Sequence, residues 1–368
     1  MSFLTDVCSI QYGYPFDSAL FNSNDGTPLV RIRDVVPGFS NTYTTEKCDE
    51  CYYVENDDML IGMDGEFNIA YWKGGHAYLN QRVCKIIPKE GVHKRYLFYQ
   101  LMPILKRIEN RTAFVTVKHL SARELNKIEF SLPDFQTQRQ IADTLDKVSE
   151  GIALCRKMLG ELDLMVKAKF GEMFGDAKVN PFDWVQSTIG ASCTLKSGTS
   201  LPIEKENECG NIPYVKVGDM NYVGNEKYIT TSSRFVTEKT AGVGIFPVGS
   251  VVFPKRGGAI GTNKKRLTSV LICADLNVMG VIPGKQLLPQ YLLAYFDTID
   301  LGLLNNGSSV PQINNKDIAP LIISIPPIEL QEQFATFVSK IDKSRLTIQQ
   351  VLSKIELEQK VLMQKYFG

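Results

Sequence analysis

From Ile141 the apolar positions fall at 141, 145, 148, 152, 155, 159, 162 and 166, in steps of four and three. That alternation is a heptad seam and predicts a long amphipathic helix. A second seam runs through Phe334, Val338, Ile341, Ile348, Leu352 and Ile355, and is broken at Arg345 and Gln359. Proline precedes both, at Pro133 and at Pro326-Pro327, where its fixed φ suits a helix start. Each seam allows about 35 residues of helix, or ~50 Å at 1.5 Å per residue. Elsewhere the pattern is short. Leu29 to Arg33 and Tyr214 to Val217 alternate like half-buried strands, and Ser250 to Phe253 and Leu271 to Cys273 are apolar strand candidates. Tyr96 to Leu105 and Pro289 to Asp297 are expected to be helical. The predicted class is α+β: mixed α/β globules joined by long helices.

The chain repeats itself. Pro133 to Ala142 reappears as Pro326 to Ala335, and the correspondence continues without a gap to Phe174-Gly175 and Phe367-Gly368. Gln138, Gln140, Ala142, Leu159 and Leu164 meet identical residues. Val117 to Leu125 matches Val310 to Ile318, and Tyr96-Leu97 matches Tyr291-Leu292. Cys8, Gly13, Pro28, Val30, Ile32 and Asp34 correspond to Cys193, Gly198, Pro213, Val215, Val217 and Asp219. The offset drifts, as insertions in loops would make it. We therefore expect a globule over 1–132, a helix over 133–175, a linker and second globule over 176–325, and a second helix over 326–368. Two such helices from a tandem repeat can pack antiparallel as a coiled-coil-like spacer, with a globule at either end.

Apolar residues make up 44% of the 368, charged residues 22%, and the net charge is +1. Overall charge therefore does not announce nucleic acid, and any such argument rests on where the charges sit. No stretch approaches the ~20 apolar residues of a membrane span. Met1 to Asp17 lacks the pattern of a secretory leader, so a cytoplasmic location and no membrane partner are expected. The eight scattered cysteines then read as free thiols. Cys48 and Cys51 form a Cys-x-x-Cys without a second pair, which gives no zinc site.

The order of motifs resembles the specificity subunit of type I restriction-modification enzymes. The residues that carry the likeness are His119-Leu120-Ser121, Leu132-Pro133 with Gln138-Arg139-Gln140-Ile141-Ala142, Phe174-Gly175-Asp176 with Asn180-Pro181 and Trp184, and Pro326-Pro327 with Glu332-Gln333. The first copy departs from the pattern, with Arg139 where glutamate is usual. The resemblance implies that each globule is a target-recognition domain reading one half of a bipartite site in double-stranded DNA. It also implies that the helices form a spacer and dock two methylation subunits, that restriction subunits can join, and that the chain itself has no catalytic residues and no cofactor.

Candidate DNA contacts follow from side-chain chemistry. Ser250 to Val270 holds Lys255, Arg256, Lys264, Lys265 and Arg266 around Gly257, Gly258 and Gly261, with no acidic residue. Glycines let backbone approach phosphates, cations neutralise them, and a forked arginine can read guanine. The same stretch also fits a solvated hairpin with a charged tip. In the first copy the corresponding region runs from Gly62, with Asp64 and Glu66, to Trp72 and Lys73, and Asn80, Gln81 and Arg82 follow. Arg31 and Arg33, taken to share one strand face, Lys216, Lys196 and Thr199 complete the set. No phosphate loop or dinucleotide fingerprint is present, and Asn180-Pro181-Phe182 lacks the second proline of an amino-methyltransferase motif. The competing reading is a helical scaffold with incidental DNA binding; a lone nuclease or methylase is a third.

Overall fold

The structure, a computed structural model, describes residues 2–111, 118–207, 209–304 and 310–368. Val117, cited in the repeat, lies outside the described residues. The chain divides into two compact units: Met1–Cys155 with Val351–Gly368, and Arg156–Gln350.

In the first unit an antiparallel sheet has the order Cys8–Tyr12, Val83–Pro88, Met59–Gly62, Ile69–Tyr71. Ile86 is the centre of its register, opposite Ile10 on one side and Met59 on the other. The helix Lys94–Arg111 buries Leu97, Leu101 and Leu105 against Met59, Ile61, Cys84 and Ile86. A second sheet sets Thr27–Val30 parallel to Ala77–Leu79, with Val30, Leu60, Trp72 and Leu79 in one apolar cluster.

The second unit repeats this plan. Cys193–Ser197, Val278–Pro283 and Val251–Pro254 pair in the same order and the same antiparallel sense. Ile212–Val215 lies parallel to Ile272–Ala274. The helix Pro289–Asp297 falls where the sequence pattern puts it and buries Tyr291, Leu292 and Phe296 against Val251, Phe253 and Met279.

Two expected strands end early. Thr27–Val30 stops before Arg31, and Ile32–Val35 is a short helix. Ile212–Val215 likewise gives way to a 3₁₀ turn over Val217–Asn221. The cause is a buried aspartate in each copy. Asp34 accepts the Arg31 N–H at 2.9 Å and Asp219 accepts the Lys216 N–H at 2.7 Å. Each carboxylate thus binds the N–H three residues back and closes a tight turn that takes the backbone out of the sheet. Arg31 and Arg33 therefore do not share a strand face.

The long helices span Phe135–Phe174 and Ile328–Phe367, 40 residues each. Asp134 caps the first, accepting the Thr137 N–H at 2.9 Å. In each unit a stretch of one helix runs antiparallel to a stretch of the other. In the first unit Gly151 faces Ile355 and Ser149 meets Gln359 at 3.1 Å. In the second, Phe170 and Phe174 pack on Phe334, and Arg345 pairs with Asp163 at 2.6 Å. The two polar residues that interrupt the second seam thus each find a polar partner on the facing helix.

Each long helix is tied to its globule by one buried glutamine. Gln138, 1% exposed, accepts the His93 N–H at 2.8 Å and donates to the carbonyls of Gly91 and Pro133. Gln331, 0% exposed, accepts the Leu288 N–H at 2.8 Å and donates to the carbonyls of Gln286 and Pro326. Tyr96 and Tyr291 add a second tie, donating to the carbonyls of Ser131 and Ser324 just before each helix.

Replacing Gln138 or Gln331 by leucine strands one buried N–H and two carbonyls, and should cost roughly 3 kcal/mol. Gln140, identical in the repeat yet exposed, should change stability by less than about 0.5 kcal/mol when replaced by leucine. Urea denaturation monitored by circular dichroism checks both.

Candidate nucleic-acid interface

In the first unit the fold gathers five of the predicted residues. Arg31, Arg33, Asn80, Gln81 and Arg82 line one cleft of about 400 Å³, together with Phe16 and Phe21. They arrive from two places in the chain. Arg31 and Arg33 sit on the turn forced by Asp34, and Asn80 to Arg82 form the connection between Ala77–Leu79 and Val83–Pro88. Gly13 allows the close approach, because a Cβ there would lie 2.0 Å from the Asn80 carbonyl oxygen.

The cations of the cleft are held in different ways. The Arg31 guanidinium lies 5.7 Å from the centre of the Phe21 ring. Arg33 donates to Thr42 Oγ1 at 2.8 Å. Arg82 Nε stands 3.4 Å from Asp64, whose other oxygen lies 2.5 Å from His119 Nδ1. Asp64 is thus a local counter-charge that aims Arg82. His119-Leu120-Ser121 has structural work as well. Leu120 is buried, and Ser121 caps the helix Ala122–Asn126.

The second unit builds the same scaffold with other side chains. Arg256 bridges Gln312 as Asp64 bridges His119. Lys255 N–H donates to the Asn277 carbonyl as Met63 N–H does to that of Arg82, each at 2.9 Å. Arg256 and Asp64 are therefore equivalent positions of opposite charge. Arg256 is exposed and opens a 3₁₀ turn over Gly257–Thr262. Gly257 has φ +72° and open space around it. Lys264 bonds Asn221 near the same turn. Lys216 pairs with Glu206 at 2.8 Å.

Other predicted residues make contacts within the fold, and Trp72, Lys255 and Lys265 are buried there. Trp72 is 1% exposed and gives its indole N–H to the Gly75 carbonyl. Lys255 is 8% exposed on Ser197, and Lys265 is 5% exposed on the Ile299 carbonyl and Asn263. Burial holds both ammonium groups below the ordinary lysine range, and the neighbouring Arg256 guanidinium lowers Lys255 further. Arg266 donates to the carbonyls of Asn225, Lys265 and Met220. Lys196 is bonded to the Ile245 carbonyl, and the Thr199 carbonyl accepts the Tyr214 hydroxyl. Lys73 is exposed at the surface. The charged tip expected over 250–270 is therefore narrower, with Arg256 and Lys264 at the surface and the rest turned inward.

The sequence reading missed Phe16 and Phe21, since no local pattern sets two aromatic rings beside arginines distant in the chain. Cys48 is half-buried and its thiol is pushed up to about 11 by burial, then by Cys51, Asp49 and Glu46. It stays protonated at neutral pH, and no metal-holding cluster occurs among the described residues. No described helix is long and apolar enough to cross a membrane.

Residues 1–163 and 181–359 each match the family model described as "Type I restriction modification DNA specificity domain". A 166-residue stretch is 39% identical to the type I restriction enzyme EcoBI specificity subunit of Escherichia coli, covering 45% of this chain and 35% of that protein. The chain thus spans about a third of the length of that relative. The type I restriction enzyme MjaIX specificity subunit of Methanocaldococcus jannaschii is 24% identical over 307 residues, 75% of this chain and 69% of that one. The crystal structure of a type I restriction-modification S subunit from M. genitalium aligns over 100% of this chain and 95% of that one, with TM-score 0.60 and 14% identity. That last likeness is one of fold.

Replacing Trp72 by alanine should cost about 3–5 kcal/mol, whereas replacing Lys73 or Arg256 should change stability by no more than about 0.5 kcal/mol. Thermal unfolding followed by calorimetry separates the two groups. A Trp72 variant as stable as the parent would place the indole outside the core.

Proposed function

The chain belongs to the family of type I restriction-modification DNA specificity domains, and from that premise we propose that it recognises a bipartite sequence in double-stranded DNA for a restriction-modification complex. The observation that carries this reading is the doubled scaffold. Arg31 and Lys216 stand on equivalent turns of the two copies, and the other cations differ in position, with Arg33 and Arg82 exposed in one copy and Arg256 exposed beside the half-buried Lys264 in the other. Cations so placed neutralise phosphates locally even in a chain whose net charge is +1. Two different sets of side chains on one backbone plan suit two different half-sites.

In this proposal residues 1–132 and 176–325 hold the target-recognition domains, and 133–175 and 326–368 form the spacer. The helices dock two methylation subunits, and restriction subunits can join them. Exposed apolar side chains support such docking: Leu154, Met158 and Leu164 on the first long helix, Leu346 and Leu357 on the second. Glu332 and Arg139, which differ between the copies, are exposed near the helix starts. The chain is non-catalytic and needs no cofactor of its own, and it works in the cytoplasm. Adenine-methylation mapping of cells with and without the gene tests the reading. One split motif should lose methylation; an unchanged methylome favours the scaffold reading.

Arg256→Ala should weaken binding about tenfold and relax preference at one base pair of one half-site. Lys264→Ala should weaken binding evenly across sequences and reduce the slope of log affinity against log salt by about one. Fluorescence anisotropy on a duplex panel at several salt concentrations distinguishes the two effects.

A further inference from the structure

The cleft of the first unit contains a polar group that the fold leaves unused. Asn80 is 9% exposed and lines the cleft with Arg31, Arg33 and Arg82. Its backbone is fully employed. The N–H donates to the Val30 carbonyl at 3.3 Å, and its carbonyl accepts from Val83 at 2.9 Å. Gly13 lies alongside it, where any side chain would collide with the Asn80 carbonyl. The side-chain amide, by contrast, has no hydrogen-bond partner among the described residues, and its atoms are not among those sealed from solvent. It therefore opens into the cleft.

The second unit supplies the control. Asp275 occupies the equivalent niche, its N–H donating to the Val215 carbonyl as that of Asn80 does to Val30. Gly198 approaches it as Gly13 approaches Asn80, with a built Cβ 2.1 Å from the Asp275 carbonyl oxygen. Yet the Asp275 carboxylate is spent within the fold. It accepts from the backbone and side chain of Asn277 at 2.9 and 2.8 Å, and its other oxygen lies 3.3 Å from the Tyr214 hydroxyl. One backbone niche thus holds a structural carboxylate in one copy and an unpartnered amide in the other. An amide that no protein group uses, open to a cleft lined by arginines, is free to bond the polar edge of a ligand.

An amide offers donors and an acceptor side by side. That pair matches the N7 acceptor and N6 amino donor on the edge of adenine. We propose that Asn80 is the adenine-reading residue of the first half-site, its N–H donating to N7 and its oxygen accepting from N6. The flanking arginines hold the neighbouring phosphates, and Asp64 positions Arg82 among them. This assignment rests on the DNA-recognition function proposed above.

The test is a 7-deazaadenine scan of the target duplex with the full chain and the subunits that purify with it. Replacing N7 by carbon at one adenine of one half-site should weaken binding about tenfold. The same replacement should have no effect on Asn80→Ala. Asn80→Asp keeps the shape but loses the donors, and it should be equally indifferent if the alanine variant fails to fold. The assignment falls if no adenine shows N7 dependence, or if the dependence persists in both variants. It also falls if Asn80→Ala weakens every duplex alike. A parent chain that binds target and scrambled duplexes equally sinks the DNA-reading function itself.

Discussion

Gln138 and Gln331 each satisfy three backbone groups at the point where a globule becomes a long helix. The N–H groups they accept, of His93 and Leu288, stand just before the globules' own helices at Lys94 and Pro289, and the Pro133 and Pro326 carbonyls stand just before the long helices. One amide, with an acceptor and two donors, closes both needs at once. The globule and the first turn of its helix therefore move as one piece. The first turn of each helix thereby holds a fixed relation to its own globule, as the proposed DNA recognition requires.

The doubled scaffold separates backbone from side chain cleanly. Hydrogen bonds from Met63 and Lys255, from Asn80 and Asp275, and from Gly65 and Gly257 run to equivalent partners. The side chains on that frame differ in charge and in use. Asp64 stands where Arg256 stands, and Arg82 where Asn277 does. Buried aspartates and close-packed glycines fix the frame, so surface residues can change what is read without disturbing the fold.

The interrupted seam follows the same economy. Arg345 and Gln359 look like defects in a heptad pattern read along one helix. Asp163 and Ser149 on the facing helix answer them. Polar pairs of this kind cost stability relative to apolar ones but pin register, which an apolar seam alone leaves loose.

The sequence by itself determined the repeat, the long helices, the class of fold and the family, because these rest on periodic patterns and on motifs contiguous in the chain. It also placed Arg31, Arg33, Asn80, Gln81 and Arg82 among the candidates, by side-chain chemistry alone. Only the tertiary structure decided which cations face outward. Lys255 and Lys265 read like Arg256 and Lys264 in a glycine-rich run, yet carbonyls and hydroxyls brought from elsewhere in the chain take them inward. Trp72, a candidate contact by its place in the chain, is likewise taken into the core by residues distant in sequence. The strands that end at Val30 and Val215 were illegible for a related reason. The capping aspartate acts backwards across three residues and overrides an alternating pattern that a local reading takes for a strand.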